Sequence, residues 1–201
     1  MRRVILAGGG TAGHIEPALA VADAITKIDS QMECEFVGTE HGLEKALIPM
    51  RGYKLHLIPK VTLPRHLTLR NFAFPLQLWR TQRAALKVVK GASLVIGFGG
   101  YVSAPVYLAA KRLGVPIVIH EANARPGFAN RLGRSFAKIV AVNFDSVRAA
   151  WPGAVLTGMP IRESIAALAE MSKEKREDFR IASAKKYGLD PNKPIVAIFG
   201  G

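Results

Sequence analysis

Cysteine is almost absent from this sequence, since Cys34 is the single one in 201 residues. One thiol cannot form a disulfide framework or a multi-cysteine zinc site, and such sparse use of cysteine is typical of a reducing compartment. The first residues, Met1–Ala7, run directly into glycines and lack the longer apolar core and small-residue cleavage site of a signal peptide. We therefore expect neither a disulfide-stabilised fold nor a cleaved leader.

Acidic residues are missing from one long segment, Lys45–His120, which contains 12 basic residues. The whole chain has 28 basic and 15 acidic residues and a net charge of +13, so almost all of the excess lies in this segment. The positive electrostatic field of such a segment attracts polyanions such as nucleic acid, anionic lipid or a phosphorylated substrate. Because no RNA-recognition signature is present, we do not expect a nucleic-acid partner.

An uninterrupted apolar run that could cross a membrane is missing too. The best candidate, Gly91–Ala110, carries no charge, but four glycines, two serines and Pro105 interrupt it. We interpret this segment as a strand, a glycine turn and the start of a helix.

Apolar residues are plentiful, at 49% of the chain, which is enough for a full core. Short β-rich runs alternate with segments whose apolar residues recur every three or four positions. The predicted strands are Val4–Ala7, Glu35–Val37, Leu55–Ile58, Leu94–Ile96, Ile117–Ile119 and Ile139–Val142. This alternation predicts an α/β fold with a doubly wound, Rossmann-like parallel sheet.

The pattern changes near Met159-Pro160. Residues 161–187 are charged and helical, and a further predicted strand, Ile195–Phe199, ends in two glycines. We expect one Rossmann-like domain over residues 1–160. Residues 161–201 would then be a linker and the first helix and strand of a truncated second domain.

The first chemical motif is the glycine-rich segment Gly8–Gly13, which follows the first strand and opens the first helix. Glycines let an anion approach the backbone, and a helix N-terminus has free N–H groups. The motif fits G-x-G-x-x-G, but a dinucleotide site needs an acid at the end of the second strand, where only Glu40 is near. A phosphate or sugar site and a plain turn both fit, and an NAD(P)-dependent oxidoreductase would rest on this motif alone.

A second glycine turn, residues 97–105, follows the fourth strand and opens another helix. Both turns should face one cleft where the strand order reverses. His14 is a candidate base there, because a helix dipole lowers the pKa of an imidazole, although a capping histidine fits equally. Glu121 and Asn123 end the fifth strand at the same edge, where Glu121 is a second candidate base or a helix-capping acid.

Large apolar side chains alternate with arginines over residues 67–80. Such a strip suits the interface of an anionic bilayer, while the alternative is a core helix, which Pro75 disfavours as one continuous element. The residues that we expect at the membrane are Arg70, Phe72, Phe74, Leu76, Trp79 and Arg80.

Four motifs occur in a characteristic order: Gly8–His14, Gly97–Pro105, His120–Asn123 and Thr157–Arg162. Together they resemble the N-terminal half of the bacterial UDP-N-acetylglucosamine:lipid I N-acetylglucosaminyltransferases of peptidoglycan synthesis, in glycosyltransferase family 28. The resemblance extends over the whole chain. Ala12 stands where this family usually has glycine, and Ala122 stands where it usually has glutamine.

The resemblance implies a GT-B protein of two Rossmann-like domains, of which the first binds the lipid-linked acceptor. It implies inverting transfer of GlcNAc from UDP-GlcNAc to the C4 hydroxyl of MurNAc in lipid I, with His14 or Glu121 taking the proton and no bound metal or other cofactor. The implied donor-binding residues are Thr11, Ala12, Gly13, Asn123 and Arg162. The implied acceptor-binding residues are Gly9, Gly10, Gly99, Gly100, Tyr101 and Ser103.

By the same resemblance, the protein would lie peripherally on the cytoplasmic side of the cell membrane. The family continues past Gly201 with a donor domain, so we expect the 201-residue chain to be inactive alone. The alternative is a non-catalytic, membrane-anchoring half that recruits a separate donor-binding domain.

Overall fold

The computed structural model describes residues 2–61 and 74–198, which form two compact units divided between Ile161 and Arg162. The first unit is built on one seven-stranded sheet in which every pair of neighbouring strands is parallel. Its strands are β1 (Arg2–Gly8), β2 (Met32–Gly38), β3 (Lys54–Leu57), β4 (Leu94–Gly99), β5 (Ile117–Glu121), β6 (Ile139–Val142) and β7 (Val155–Leu156).

The strand order is β3-β2-β1-β4-β5-β6-β7, which confirms the predicted doubly wound, Rossmann-like sheet. The chain winds outward from β1 to β3, returns to the other side of β1 as β4, and then winds outward to β7. The order therefore reverses between β1 and β4, the place where open parallel sheets bind their ligands.

Helices cover both faces of this sheet. They are α1 (Ala12–Ile28), α2 (Glu44–Met50), α3 (Phe74–Val89), α4 (Ser103–Leu113), α5 (Phe128–Arg134) and α6 (Asp145–Ala150). Val4 and Leu6 pack with α1 and α2, whereas Ile5 and Ala7 pack with α3, α4 and α5, because successive strand residues point to opposite faces. Burying each large side chain contributes about 1.5–3 kcal/mol, so the sheet is held from both sides.

Glycine and proline lie at the ends of two of the helices. Gly114 caps α4 in the left-handed conformation, with φ of 68°, and a φ of 78° at Gly91 lets the chain turn after α3. Pro75 lies in the first turn of α3, where its missing N–H would have had no helical partner.

The uncharged segment Gly91–Ala110 contains the whole of β4, a turn and most of α4, as predicted. Over the two described ranges, the structure has no helix that is both long and apolar enough to span a bilayer.

The second unit contains α7 (Glu163–Glu170) and α8 (Lys173–Lys186). Ser172 separates them and caps α8, since its hydroxyl accepts a hydrogen bond from the Lys175 amide at 3.3 Å. The predicted strand over 195–199 is not found in its described part, Ile195–Ile198. A strand needs a hydrogen-bonded neighbour, and the described residues provide none there.

Candidate functional site

The two glycine turns lie side by side at the carboxyl edge of the sheet, where β1 and β4 are neighbours. Their backbones touch, because a Cβ built on Gly100 would collide with the carbonyl oxygen of Gly9. Gly100 also has a φ of +84°, a conformation that L side chains rarely adopt. The close approach of the two turns therefore requires glycine at this position.

A cavity of about 170 Å³ opens between the turns. Its walls come from the two turns and from the segments that follow β2 and β3. The lining residues are Gly9, Gly10, Thr11, His14, Thr39, His41, Gly42, Lys60, Gly100, Tyr101 and Val102. The structure thus brings four of the six predicted acceptor-binding residues together with His14.

His14 lies at the start of α1 with its ring against the second turn. Its Nε2 is 3.2 Å from the position of a Cβ built on Gly99, and its Nδ1 is 3.0 Å from the hydroxyl oxygen of Thr11. Burial lowers the pKa of His14, and the charge of Glu121 and a hydrogen bond with Gly9 oppose that shift only in part. The imidazole is therefore neutral at pH 7, the form that can accept a proton.

Glu121, the other candidate base, is 1% exposed, and hydrogen bonds occupy both of its carboxylate oxygens. Oε1 accepts from the backbone and side-chain nitrogens of Asn123 at 2.9 and 3.0 Å. Oε2 accepts from the Gly127 amide and the Asn130 side chain, both at 3.0 Å. These bonds hold the loop that connects β5 to α5.

Sequence reasoning missed Asn130 and Tyr107, which are buried beneath the second turn. The Tyr107 hydroxyl donates to Asn130 Oδ1 at 2.8 Å, and Asn130 Nδ2 donates to Glu121 and to the His120 carbonyl. Burial raises the pKa of Tyr107, so its hydroxyl stays protonated and keeps donating. This network orients the Glu121 carboxylate.

Glu44 was missed as well, although it shapes the first turn. It is fully buried, and its carboxylate accepts from the Gly10 amide at 3.0 Å and from the Thr39 amide and hydroxyl at 2.9 and 3.0 Å. Burial acts to raise the pKa of Glu44, but these hydrogen bonds hold it below its usual value. Because the chain itself uses the Gly10 amide, this amide is not available to a ligand.

Two other predicted acceptor residues, Ser103 and Gly99, do not line the cavity. Ser103 is fully buried, and its hydroxyl donates to the backbone, 2.9 Å from the Ala7 carbonyl oxygen and 2.7 Å from that of Gly99. It therefore joins β1 to the second turn. Gly99, with φ of +94°, lies against the His14 ring and the side-chain amide of Asn130.

Most of the predicted donor-binding residues lie at this edge of the sheet. Thr11, Ala12 and Gly13 are exposed at the start of α1, where the Thr11 side chain makes no capping hydrogen bond. Exposed Asn123 hydrogen-bonds to Glu121. Arg162 belongs to the second unit.

The predicted membrane residues divide between described and undescribed parts of the chain. Arg70 and Phe72 lie outside the described residues. In α3, Phe74 is half-buried and Arg80 is exposed, while Leu76 and Trp79 are 49% and 55% exposed. The start of this helix therefore presents large apolar side chains to solvent instead of packing them in the core.

Among residues 2–61 and 74–198, no three His, Cys, Asp or Glu side chains come together in a way that could hold a metal ion.

The doubly wound sheet with paired glycine turns at its switch point defines the class: a Rossmann-like N-terminal domain of the GT-B type. Residues 4–142 match the model of the glycosyltransferase family 28 N-terminal domain, and the chain belongs to this family. The crystal structure of Acinetobacter baumannii MurG superposes with a TM-score of 0.67 at 30% identity, over 83% of this chain and 47% of that one.

Two curated relatives carry the name UDP-N-acetylglucosamine--N-acetylmuramyl-(pentapeptide) pyrophosphoryl-undecaprenol N-acetylglucosamine transferase. The Frankia casuarinae protein is 48% identical over 204 residues, which are 100% of this chain and 52% of the relative. The Streptomyces avermitilis protein is 50% identical over 200 residues, 98% of this chain and 53% of the relative. The chain thus spans about half the length of the curated relatives that it matches.

Proposed function

We propose that this chain is the acceptor-binding half of an inverting glycosyltransferase. The full enzyme would transfer GlcNAc from UDP-GlcNAc to the C4 hydroxyl of MurNAc in lipid I and so produce lipid II for peptidoglycan. The observation that carries the proposal is the meeting of both glycine turns and a neutral imidazole at one cavity. The names of the relatives support the substrates.

In this proposal His14 is the general base. An inverting displacement needs one group to take the proton of the attacking hydroxyl, and that group must reach the cavity and be unprotonated. His14 meets both conditions. Glu121 is buried with both oxygens occupied, so we assign it the role of holding the loop and favouring the protonated imidazole by its negative charge.

The diphosphate of the lipid-linked acceptor would lie between the turns. Gly9, Gly100 and Tyr101 line this space, together with Gly10, whose backbone shapes the wall without lending its amide. Thr11, Ala12 and Gly13 at the positive end of α1 would face the donor, with Asn123 contributing from the loop after β5. In this scheme backbone amides stabilise the diphosphate of the leaving UDP, and no metal takes part.

We also propose that the enzyme binds peripherally to the cytoplasmic face of the cell membrane through α3. From Phe74 to Phe144 the chain has ten basic residues and one acid, Glu121, which is buried. α3 packs beside α4, and α4 beside α5, and seven of these ten cations lie in the three helices. Exposed Leu76 and Trp79 would enter the acyl boundary while the cations meet anionic headgroups.

This membrane contact can be tested by replacing its apolar side chains with acidic ones. The double variant Leu76→Glu/Trp79→Glu should bind phosphatidylglycerol vesicles at least tenfold more weakly in a sedimentation assay. Apolar contact is lost and two negative charges are added. The matched control replaces Ile28 and Met50, which are 86% and 80% exposed on the α1 and α2 side of the sheet. Equal binding by both double variants would contradict the assignment.

The proposed reaction is tested by joining the chain to the C-terminal half of the Frankia casuarinae relative, and we call the product the fusion enzyme. The fusion enzyme should transfer labelled GlcNAc to a soluble lipid I analogue, whereas the 201-residue chain alone should not. Transfer by the chain alone at the same rate would contradict the need for a donor half. If the fusion enzyme is folded but inactive while the full-length Frankia enzyme is active in the same assay, the proposed GlcNAc transfer is contradicted.

A further inference from the structure

The cavity between the two turns has one feature that the family motifs do not include. Lys60 follows β3 and lines the same cavity as Thr39 and His41. Its ammonium nitrogen lies 5.3 Å from the centroid of the Tyr101 ring, so the cation is directed towards the second turn. Within residues 2–61 and 74–198, no carboxylate forms an ion pair with Lys60.

An anion in this cavity needs such a cation for an electrostatic reason. The buried Glu44 carboxylate lies directly behind the first turn and already accepts the Gly10 hydrogen bond. The turn therefore offers one amide fewer than its glycine pattern predicts, and a fixed negative charge lies close to the ligand space. Partial charges on the remaining amides do not balance a diphosphate and Glu44 together.

The other side chains that line the cavity, including its histidines and threonines, carry no permanent positive charge. His14 is neutral at pH 7 because burial lowers its pKa. Thr11 and Thr39 carry only hydroxyl groups, and Thr39 already donates to Glu44. Lys60 is thus the one residue with a permanent positive charge among those that line the described cavity.

We propose that Lys60 is a binding residue for the diphosphate of the acceptor, with its ammonium group paired to a phosphoryl oxygen and Tyr101 holding the lysine in place. This inference rests on the proposed function, which puts a diphosphate in the cavity. It adds a side-chain cation to a site that the motifs describe only by glycine amides. A lysine ammonium is a compact, strongly hydrated point charge, which suits a ligand that must enter and leave with each turnover.

The test is a titration of the isotopically labelled chain with inorganic pyrophosphate at low salt, followed by the amide resonances of both turns. Lys60→Gln should weaken the pyrophosphate affinity about tenfold, the usual effect of losing one charge-assisted hydrogen bond at a partly exposed site. Lys60→Arg, which keeps the charge, should retain most of the affinity. Because Lys60 is exposed, these variants should fold, and the dispersion of the amide spectrum checks this.

Lys45→Gln is the matched control, because Lys45 lines the neighbouring cavity of about 450 Å³ and carries the same charge. Affinity within twofold of the parent is expected for this control. If Lys60→Gln also stays within twofold, or if both variants lose affinity equally, the role of Lys60 is overturned while the diphosphate site stands. If pyrophosphate shifts neither turn in the parent chain, the proposed acceptor site fails as well.

Discussion

Replacing His14 with alanine should lower the kcat of the fusion enzyme by about a hundred- to ten-thousand-fold, with little change in the KM for the acceptor. Removing a general base has an effect of this size because it raises the barrier of the proton-transfer step without removing a major binding contact. His14 is placed for that role, since it lines the cavity and its Nδ1 lies 3.0 Å from the Thr11 hydroxyl oxygen. Steady-state rates of GlcNAc transfer measure the effect.

The pH dependence of the reaction gives a second readout of the same residue. The pKa of His14 is lowered by burial, so the neutral form that accepts a proton persists below pH 6.5 and is lost only as the pH falls through the lowered value. The acid limb of kcat/KM should therefore lie below pH 6.5, and the His14→Ala variant should lack it.

His41 provides the matched control, because it lines the same cavity but has no assigned part in the chemistry. His41→Ala should keep kcat within about threefold of the parent. The assignment of the base would be contradicted if His14→Ala were as active as His41→Ala, and Glu121 would then be the base to examine.

The place of the site could be predicted from sequence because it depends on chain order and strand periodicity. Apolar runs such as Ile117–Ile119 identify parallel strands buried on both faces, and a glycine turn after β1 and another after β4 must meet if these strands are neighbours. The six strands predicted within residues 4–142 are confirmed, whereas the strand predicted over 195–199 is not found in its described part, and β7 was missed because it has only two residues, both exposed. So short and exposed a strand has no periodicity to detect.

The partners of the polar side chains could not be predicted, because they depend on packing between distant segments. Glu44 is 34 residues from the Gly10 amide that it binds, and in sequence it reads as an ordinary acid at the start of a helix. Asn130 reaches Tyr107 across 23 residues for the same reason. Hydrogen bonds of this kind are visible only after the sheet has brought α2, α4 and α5 to their places.

Ser103, which was predicted to bind the acceptor, has surroundings that could not be predicted either. A serine in a glycine-rich turn resembles a ligand-binding hydroxyl, but this one is fully buried between β1 and the second turn. The sequence shows that Ser103 lies next to the glycine turn. The direction of its side chain depends on α4, which begins at this residue.

Replacing Gly100 with alanine should separate the two glycine turns. The new Cβ would collide with the backbone carbonyl of Gly9, and the residue would be held at a φ of +84°, which alone costs about 1–2 kcal/mol for an L residue. With the collision included, we expect a loss of about 3 kcal/mol in the free energy of unfolding, or a displaced turn that relieves it. Thermal denaturation measures the loss of stability.

Gly52 is the matched control, because it has a φ of +78° with nothing within 4 Å of a Cβ built on it. Gly52→Ala therefore introduces the same backbone strain without the collision and should cost only about 1–2 kcal/mol. The difference in the free energy of unfolding between the two variants separates the effect of the collision between the turns from the strain of a left-handed residue.

The proposed acceptor site requires the two turns to act as one anion site, and the pyrophosphate affinity of the Gly100→Ala and Gly52→Ala chains measures this directly. Gly100→Ala should bind pyrophosphate at least tenfold more weakly than the parent, while Gly52→Ala should bind it equally well. A folded Gly100→Ala chain with the affinity of the parent would show that the turns do not hold the diphosphate together, and would contradict the proposed site.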